Sequence, residues 1–397
     1  MKTETCISCN SREFRYKNSI SPPIAQSAIY TFDSHADLDA YINGLDEDTH
    51  YAYGRGDTPA SDVVAEKLAA LACGEDCCLC SSGMGAIALV LLSYLKSGDH
   101  LICVQHAYST AKGFIQDMLV EHMGIQVTYV EGLQLDEFEA AVKDNTNMIY
   151  LESPASAIFQ LQDIEAVARL AKAKNIKVAV DNTYATMLYQ KPLQLGADLE
   201  IHSLSKYING HNDVVAGAVI GSKKDIQIIK KHALLQIGSN LSPFDAWLIL
   251  RGLRTLPLRL KQQEESTNRI AQRLAEHEKI TKVNHISLSN FPQRKLYEKQ
   301  MSGSSGLFSF ETVSSRSKVS EFLAQLQLFQ TGISWGGYES MVYISSISKP
   351  YYRTAGEQDA IPVLIRLSIG PVSYTHLDVY KRQAFLRRQS VFHLWIF

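Results

Sequence analysis

The sequence predicts an α/β fold: a mostly parallel central sheet with helices on both faces, followed by a smaller C-terminal α+β domain. Three observations predict it. Short apolar runs alternate with helical stretches from Ser61 to about Pro243, as βαβ units around a covered sheet require. The texture then changes to longer, more charged helices and short mixed elements up to Gly370. A chain of 397 residues with 46% hydrophobic content is long enough for a large core and most naturally forms two domains.

Each element has its own signal. Residues 1–60 read as an irregular arm, because Ser21-Pro22-Pro23-Ile24 is held extended or turning by proline. His50-Tyr51-Ala52-Tyr53-Gly54-Arg55-Gly56 is aromatic, basic and punctuated by glycine. Residues 61–243 form the large domain. Val63, Val64, Lys67, Leu68 and Leu71 carry helical spacing, and Ser81-Ser82-Gly83-Met84-Gly85 opens an apolar helix from Ala86 to Tyr94. Leu101–Val104, Val127–Val130, Met148–Leu151, Lys177–Val180 and Ala216–Ile220 read as strands. Ile164–Lys172 reads as an amphipathic helix. Residues 244–370 form the second domain, with a helix from Phe244 through Leu250, an interruption at Pro257 and a charged helix over Leu258–His277. Residues 371–397 look foreign: Asp378 is the single acid against Lys381, Arg382, Arg387 and Arg388, with no amphipathic repeat. They are expected to be a non-native tail, from read-through, a frame shift or cloning, in place of the true terminus.

Composition narrows the function. A net charge of −2 gives no bulk signal for nucleic acid or anionic membrane. Met1–Thr5 lacks the apolar core of a signal peptide, and the apolar stretch Ala86–Leu95 is too short to span a bilayer. A cytoplasmic location is the expectation. Seven cysteines, an odd count, point to reduced thiols. Cys6-x-x-Cys9 with the Cys77–Cys80 cluster could make a zinc site, but the irregular spacing favours buried small hydrophobes, and no metal is expected.

The chemistry gathers around Lys206. It closes Ser203-Leu204-Ser205-Lys206 and precedes Tyr207-Ile208-Asn209-Gly210-His211. Lysine is normally exposed. In this setting it suggests a desolvated amine with a lowered pKa, suited to Schiff-base chemistry. Asp181 ends the apolar strand before it, at the carboxyl edge where open α/β sheets bind ligands. It can hold a pyridinium nitrogen or simply cap a helix. Ser81-Ser82-Gly83-Met84-Gly85 precedes a helix whose N-terminal amides can meet an anion, or is simply a small-residue helix start, and Ser203 and Ser205 can complete a phosphate cup. Tyr108 can stack on a ring and move protons, or be an ordinary surface tyrosine. A Schiff-base lysine, a ring aspartate and a phosphate cup are what pyridoxal 5'-phosphate needs, with the cofactor covalently bound to Lys206.

These residues resemble the trans-sulfuration family of cysteine and methionine metabolism. These are fold type I pyridoxal phosphate enzymes that include cystathionine γ-synthase and the cystathionine and methionine lyases. The resemblance runs from about Ser21 to Gly370. It is carried by Tyr51–Arg55, Ser82-Gly83-Met84, Val180-Asp181-Asn182-Thr183, Ser203–His211, Trp335-Gly336-Gly337-Tyr338-Glu339-Ser340 and Leu364-Ile365-Arg366-Leu367-Ser368. It implies that Lys206 and Tyr108 are catalytic. It implies that Asp181 pairs with the pyridine nitrogen while Gly83, Met84, Ser203 and Ser205 hold the phosphate. Tyr53 and Arg55 would reach the phosphate of a neighbouring subunit, so a homodimer is needed and a homotetramer is expected. Arg366 would clamp the carboxylate of an amino-acid substrate, with Ser334, Ser156 and Trp335 lining the same site.

The chain also departs from the family. Asp57-Thr58-Pro59-Ala60 stands where Gly-Asn-Pro-Thr is usual. Ala155-Ser156-Ala157 replaces Thr-Asn-Pro, and Ser156 is shorter than the asparagine. The terminal tail replaces an acidic amphipathic helix. The reaction is therefore read in three ways. The first is a carbon–sulfur lyase acting by β- or γ-elimination on cystathionine or a related sulfur amino acid. The second is a γ-replacement enzyme, either cystathionine γ-synthase or a homoserine-ester sulfhydrylase. The third is a cofactor-binding but inactive protein. Ser109 and Thr110, where methionine γ-lyases carry a cysteine, argue against methionine. Trp335 resembles bacterial cystathionine β-lyases or is a core tryptophan. Asn209–Val215 looks more like the γ-synthase and γ-lyase side.

Overall fold

A computed structural model of the chain describes residues 6–7, 16–43, 51–155, 157–345 and 362–371. Ser156 and residues 372–397, nearly all of the expected tail, lie outside the described residues.

The first sheet contains β1 (Asp76–Cys80), β2 (His100–Val104), β3 (Gln126–Val130), β4 (Thr146–Glu152), β5 (Lys177–Asp181), β6 (Leu199–Ser203) and β7 (Gly217–Gly221). Their order is β1-β7-β6-β5-β4-β2-β3. Strands β3, β2, β4, β5 and β6 pair in parallel, and β7 is antiparallel to both β6 and β1, so that it alone is reversed. The strands are apolar because both faces are covered: all five residues of β2 and of β7 are buried. Two of these strands escape a reading by apolar runs. β6 carries Glu200 and His202, both fully buried and bonded to each other at 2.7 Å. β1 is built mostly of cysteines. Cys77, Cys78, Cys80 and Cys103 are buried, and burial pushes their thiols up, Cys80 to about 12. No group of three His, Cys, Asp or Glu side chains able to hold a metal occurs among the described residues.

The helices follow their caps. In the arm, α1 (His35–Ile42) is capped by Ser34, so the arm is not irregular throughout. The helix α2 (Pro59–Ala72) starts at Thr58, which exchanges capping bonds with Ser61. Thr58 caps the helix, while Asp57 beside it pairs with Lys230 at 2.9 Å. α3 (Gly83–Tyr94) begins three residues before the apolar run because Ser82 caps it through Gly85 N–H. α4 (Ser109–Phe114) follows β2, and α5 (Ile164–Ala173) lays Ile164, Val167, Ala168 and Ala171 inward as expected.

Beyond the first sheet, α6 (Pro243–Leu253) packs on α2, and α7 (Leu256–Ala275) leads to a second sheet. Pro257 does not break α7. It sits in the first turn, where a missing N–H costs nothing. The second sheet holds β8 (Ile280–Asn284), β9 (Leu307–Thr312), β10 (Phe329–Thr331), β11 (Ser340–Ser345) and β12 (Val363–Ser368), in the order β10-β11-β12-β9-β8. Among the described residues no helix is long and apolar enough to cross a membrane.

Candidate active site

The carboxyl ends of neighbouring parallel strands bring the predicted residues together. Glu152 ends β4, Asp181 ends β5 and Ser203 ends β6, with Glu152 opposite Asp181 and Asp181 opposite Ile201 in register. Lys206 stands in the turn just past β6, closed by Gly210 N–H donating to Lys206 O at 2.8 Å. The ligand-binding edge of an open α/β sheet is this one.

Lys206 is largely buried. Its amine donates to Ser334 Oγ at 2.7 Å and stands 5.5 Å from the Trp335 ring centroid. Burial, and then the nearby Arg366 cation, lower its pKa from 10.5 to about 8, against the opposing pull of Asp181. Trp335 is 7% exposed and packs on Tyr207, ring centroids 5.4 Å apart. It is therefore both a core tryptophan and a neighbour of the Lys206 amine.

Asp181 is held by residues that sequence reasoning passed over. Thr183 donates to Asp181 Oδ1 twice, from its N–H at 3.0 Å and its hydroxyl at 2.5 Å. The same Thr183 Oγ1 accepts Ser203 N–H at 2.9 Å, which ties β6 to the aspartate. Tyr150 OH reaches Asp181 Oδ2 only at 3.5 Å. Burial raises the Asp181 pKa, outweighing the Thr183 bonds, His202 and Tyr150, which lower it.

At the start of α3 the Ser82 hydroxyl takes Gly85 N–H, rather than those of Gly83 and Met84. A Cβ at Gly83 would lie 2.6 Å from Ser203 Cβ, so glycine is what lets the helix start come up to Ser203. Ser205 behaves differently from Ser203. Its hydroxyl oxygen accepts Ala216 N–H at 2.9 Å and lies 3.3 Å from Ala216 O, an engagement with the main chain.

Tyr108 leads into α4. Its main-chain N–H donates to Glu152 Oε2 at 2.5 Å, and its side chain is 43% exposed. Arg366 comes from β12 in the other sheet. Its Nη2 donates to Ile333 O at 2.7 Å, and its guanidinium faces Tyr343, 5.5 Å from the ring centroid, across the β11–β12 pair. Ile333 and Ser334 are adjacent, so one loop contacts both Arg366 and Lys206. Tyr53 and Arg55 do not join this cluster. They face each other at 5.5 Å and line a cleft of about 400 Å³ with Gln26, Asn240 and Ser242.

The family model for Cys/Met metabolism PLP-dependent enzymes matches residues 3–377. The chain belongs to that family. It is 36% identical over 358 residues to an L-methionine gamma-lyase of Porphyromonas gingivalis, covering 88% of each chain. It is 34% identical over 358 residues to a cystathionine beta-lyase of Lactococcus lactis, covering 89% of this chain and 90% of the relative. Among solved structures it resembles a putative O-acetylhomoserine (thiol)-lyase of Campylobacter jejuni, with a TM-score of 0.88, 26% identity and coverage of 98% and 100%. That structure carries N'-pyridoxyl-lysine-5'-monophosphate.

As a member of the family the protein depends on pyridoxal phosphate, and the residues present fit that cofactor. The Asp181 carboxylate is buried with Oδ1 bonded twice and Oδ2 given only a long contact. A raised pKa works against an ionised aspartate, but a protonated ring nitrogen at Oδ2 would pull it back down. The close approach of Gly83 to Ser203 makes a cradle for a phosphate at the positive end of a 12-residue helix. A buried amine at Lys206 with a depressed pKa is the nucleophile such a cofactor requires.

Proposed function

We propose that this protein is a carbon–sulfur lyase that uses pyridoxal phosphate bound to Lys206 to eliminate the thiol portion of a thioether amino acid. The observation that carries the reading is the Lys206 amine. It is buried, its pKa is lowered to about 8, and Ser334 holds it at 2.7 Å beside the Arg366 cation. Such an amine is neutral often enough near pH 8 to take a proton from carbon.

Pyridoxal phosphate, when bound, supplies an electron sink that acidifies the substrate Cα–H. The chain does the rest. Asp181 would hold the ring nitrogen, Gly83, Met84 and Ser203 would hold the phosphate, and Ser205 supports the turn through Ala216. The Arg366 guanidinium clamps the substrate α-carboxylate, a planar pairing that lysine reproduces poorly. Lys206, oriented by Ser334, takes the proton from Cα and passes it to the sulfur that leaves as the C–S bond breaks. Trp335 keeps water from the amine. Tyr108, whose main-chain N–H is held by Glu152, would cover the cofactor ring and assist proton transfer. Ser156 would line the substrate side.

The lyase relatives, at 34% and 36% identity, support elimination. The methionine γ-lyase raises methionine as a substrate, while Ser109 after Tyr108 argues for cystathionine. The sulfhydrylase-like structure supports the second reading, γ-replacement on a homoserine ester. The active unit is a dimer in which Tyr53 and Arg55 reach the partner's phosphate, with dimers pairing into a tetramer. Free buried thiols fit a reducing cytoplasm.

Product analysis tests the reading. Cystathionine should give either pyruvate with homocysteine or 2-oxobutyrate with cysteine, which also separates β- from γ-elimination. Methionine is run beside it. If neither thioether yields a keto acid while an acyl-homoserine plus cysteine gives product, the enzyme is a γ-replacement transferase. A visible cofactor band without turnover on any of these would leave only the binding role.

A further inference from the structure

Arg259, in the first turn of α7, is a largely buried cation whose bonds go to uncharged acceptors. Its Nη1 donates to Tyr207 O at 2.7 Å. Its Nη2 donates to Ile208 O at 3.2 Å and to Gly252 O of α6 at 2.8 Å, and its Nε to Thr255 Oγ1 at 3.0 Å. Burial alone lowers its pKa, to about 10. Among the described residues no carboxylate pairs with it, and taking a guanidinium out of water without one is costly, so the arrangement needs a compensating gain.

The gain lies in what the acceptors are. Tyr207 O and Ile208 O are the first two carbonyls after Lys206. The lysine turn bonds itself through Asn209 N–H to Leu204 O at 2.9 Å and Gly210 N–H to Lys206 O at 2.8 Å. The carbonyls at the end of such a turn have no partner within it, and a cation at that end satisfies them. The sequence makes room for it. Gly210 lies at φ 71°, and a Cβ there would come 1.9 Å from Arg259 Nη1.

We propose that Arg259 is a positioning residue for Lys206: from α7 its guanidinium clasps the main chain of the lysine turn and fixes where the amine stands. The inference rests on Lys206 being the cofactor lysine. Its described bonds reach only main chain and Thr255, so Arg259 acts through Lys206 and not on the reacting atoms. Displacing a base by about 1 Å can cost on the order of 100-fold in rate. A lysine at this position offers one point of donation in place of a fork, and a methionine offers none.

The test uses the cofactor-loaded full-length enzyme with Arg259→Lys, Arg259→Met and, as a stability control on the same helix, Leu274→Ala. Leu274 is buried. Arg259→Met should lower kcat per bound cofactor by about 10- to 100-fold with KM within about threefold of wild type, and Arg259→Lys should fall between. Both should speed hydrogen exchange at the Asn209 and Gly210 amides. Leu274→Ala should lower Tm without either effect. The proposal is overturned if the Arg259 variants lower Tm as Leu274→Ala does while kcat and exchange stay at wild-type values. Arg259→Lys carries the same comparison should Arg259→Met not fold. Failure of the Lys206 assignment reads separately, as a visible cofactor band that survives Lys206→Ala.

Discussion

Lys206 and Ser334 are 128 residues apart in the chain, yet the lysine Nζ donates to the serine Oγ at 2.7 Å. The bond joins the turn after β6 of the large sheet to the loop between β10 and β11 of the small one. The cluster around Lys206 is thus assembled between two sheets, with Lys206 following a strand of one and Arg366 on a strand of the other. The sheets must stay docked for the amine to keep its surroundings, because part of what lowers its pKa is Arg366 on β12.

The Lys206 amine should titrate near pH 8 in the protein stripped of cofactor. Its folded pKa lies below the ordinary 10.5. Between about pH 8 and 10.5 the unfolded chain therefore binds more protons than the folded one, and this group makes stability rise with pH across that window. Labelling with an amine reagent, followed by peptide mass spectrometry, should show half-maximal modification of Lys206 near pH 8, well before solvent-exposed lysines. A Lys206 profile that matched theirs would remove the assigned base.

Arg366→Lys should raise KM for the amino-acid substrate by about 10- to 100-fold, the loss of one charge-assisted forked pair. The cofactor's visible band should not change. Arg366 faces Tyr343 and donates to Ile333 O, so a shorter grip at one point cannot keep both contacts and the carboxylate. Steady-state kinetics with an α-amino acid and with its amide analogue check the claim. An equal loss for both would show that the arginine does not read the carboxylate.

How much of this was legible in sequence follows from where each signal lies. The strands β2, β3, β4, β5 and β7 are apolar runs and announce themselves. β1 and β6 do not, because one is built of cysteines and the other hides a Glu200–His202 pair in a buried strand. Asp181 and Lys206 are marked by local patterns of residue type around them. Arg366 and Ser334 are marked by nothing local. Only the family resemblance points to them, since the small sheet brings them in from far along the chain. Thr183, Glu152 and Arg259 were passed over because they act on main-chain groups or on another functional residue. Ser205 has the spacing of a phosphate ligand, yet its hydroxyl is engaged with Ala216, a choice only the antiparallel turn into β7 decides.

Trp335→Ala should destabilise the protein by about 3–5 kcal/mol, as large buried aromatics do. Trp335 packs on Tyr207 within the core that unites the two sheets. Trp335→Phe should fold with most of that stability but leave space beside the Lys206 amine, and its kcat should fall more than its KM rises. Urea midpoints and initial rates separate the two effects. A Trp335→Phe enzyme with unchanged kcat would leave the tryptophan a packing residue alone.

Mixing two inactive variants tests whether the site spans two chains. Tyr53 is 55% exposed, Arg55 is exposed as well, and both lie apart from the Lys206 cluster of their own chain. If Arg55 serves the partner's phosphate, a hybrid of Arg55→Ala and Lys206→Ala chains holds one site with both defects and one site with neither. Random reassociation makes about half of the dimers hybrid, and each has one intact site of two, so about a quarter of wild-type activity should return. If Arg55 serves its own chain, each site of the hybrid carries one defect and nothing returns. Activity of each variant alone, then of the mixture after dissociation and reassociation, decides between them.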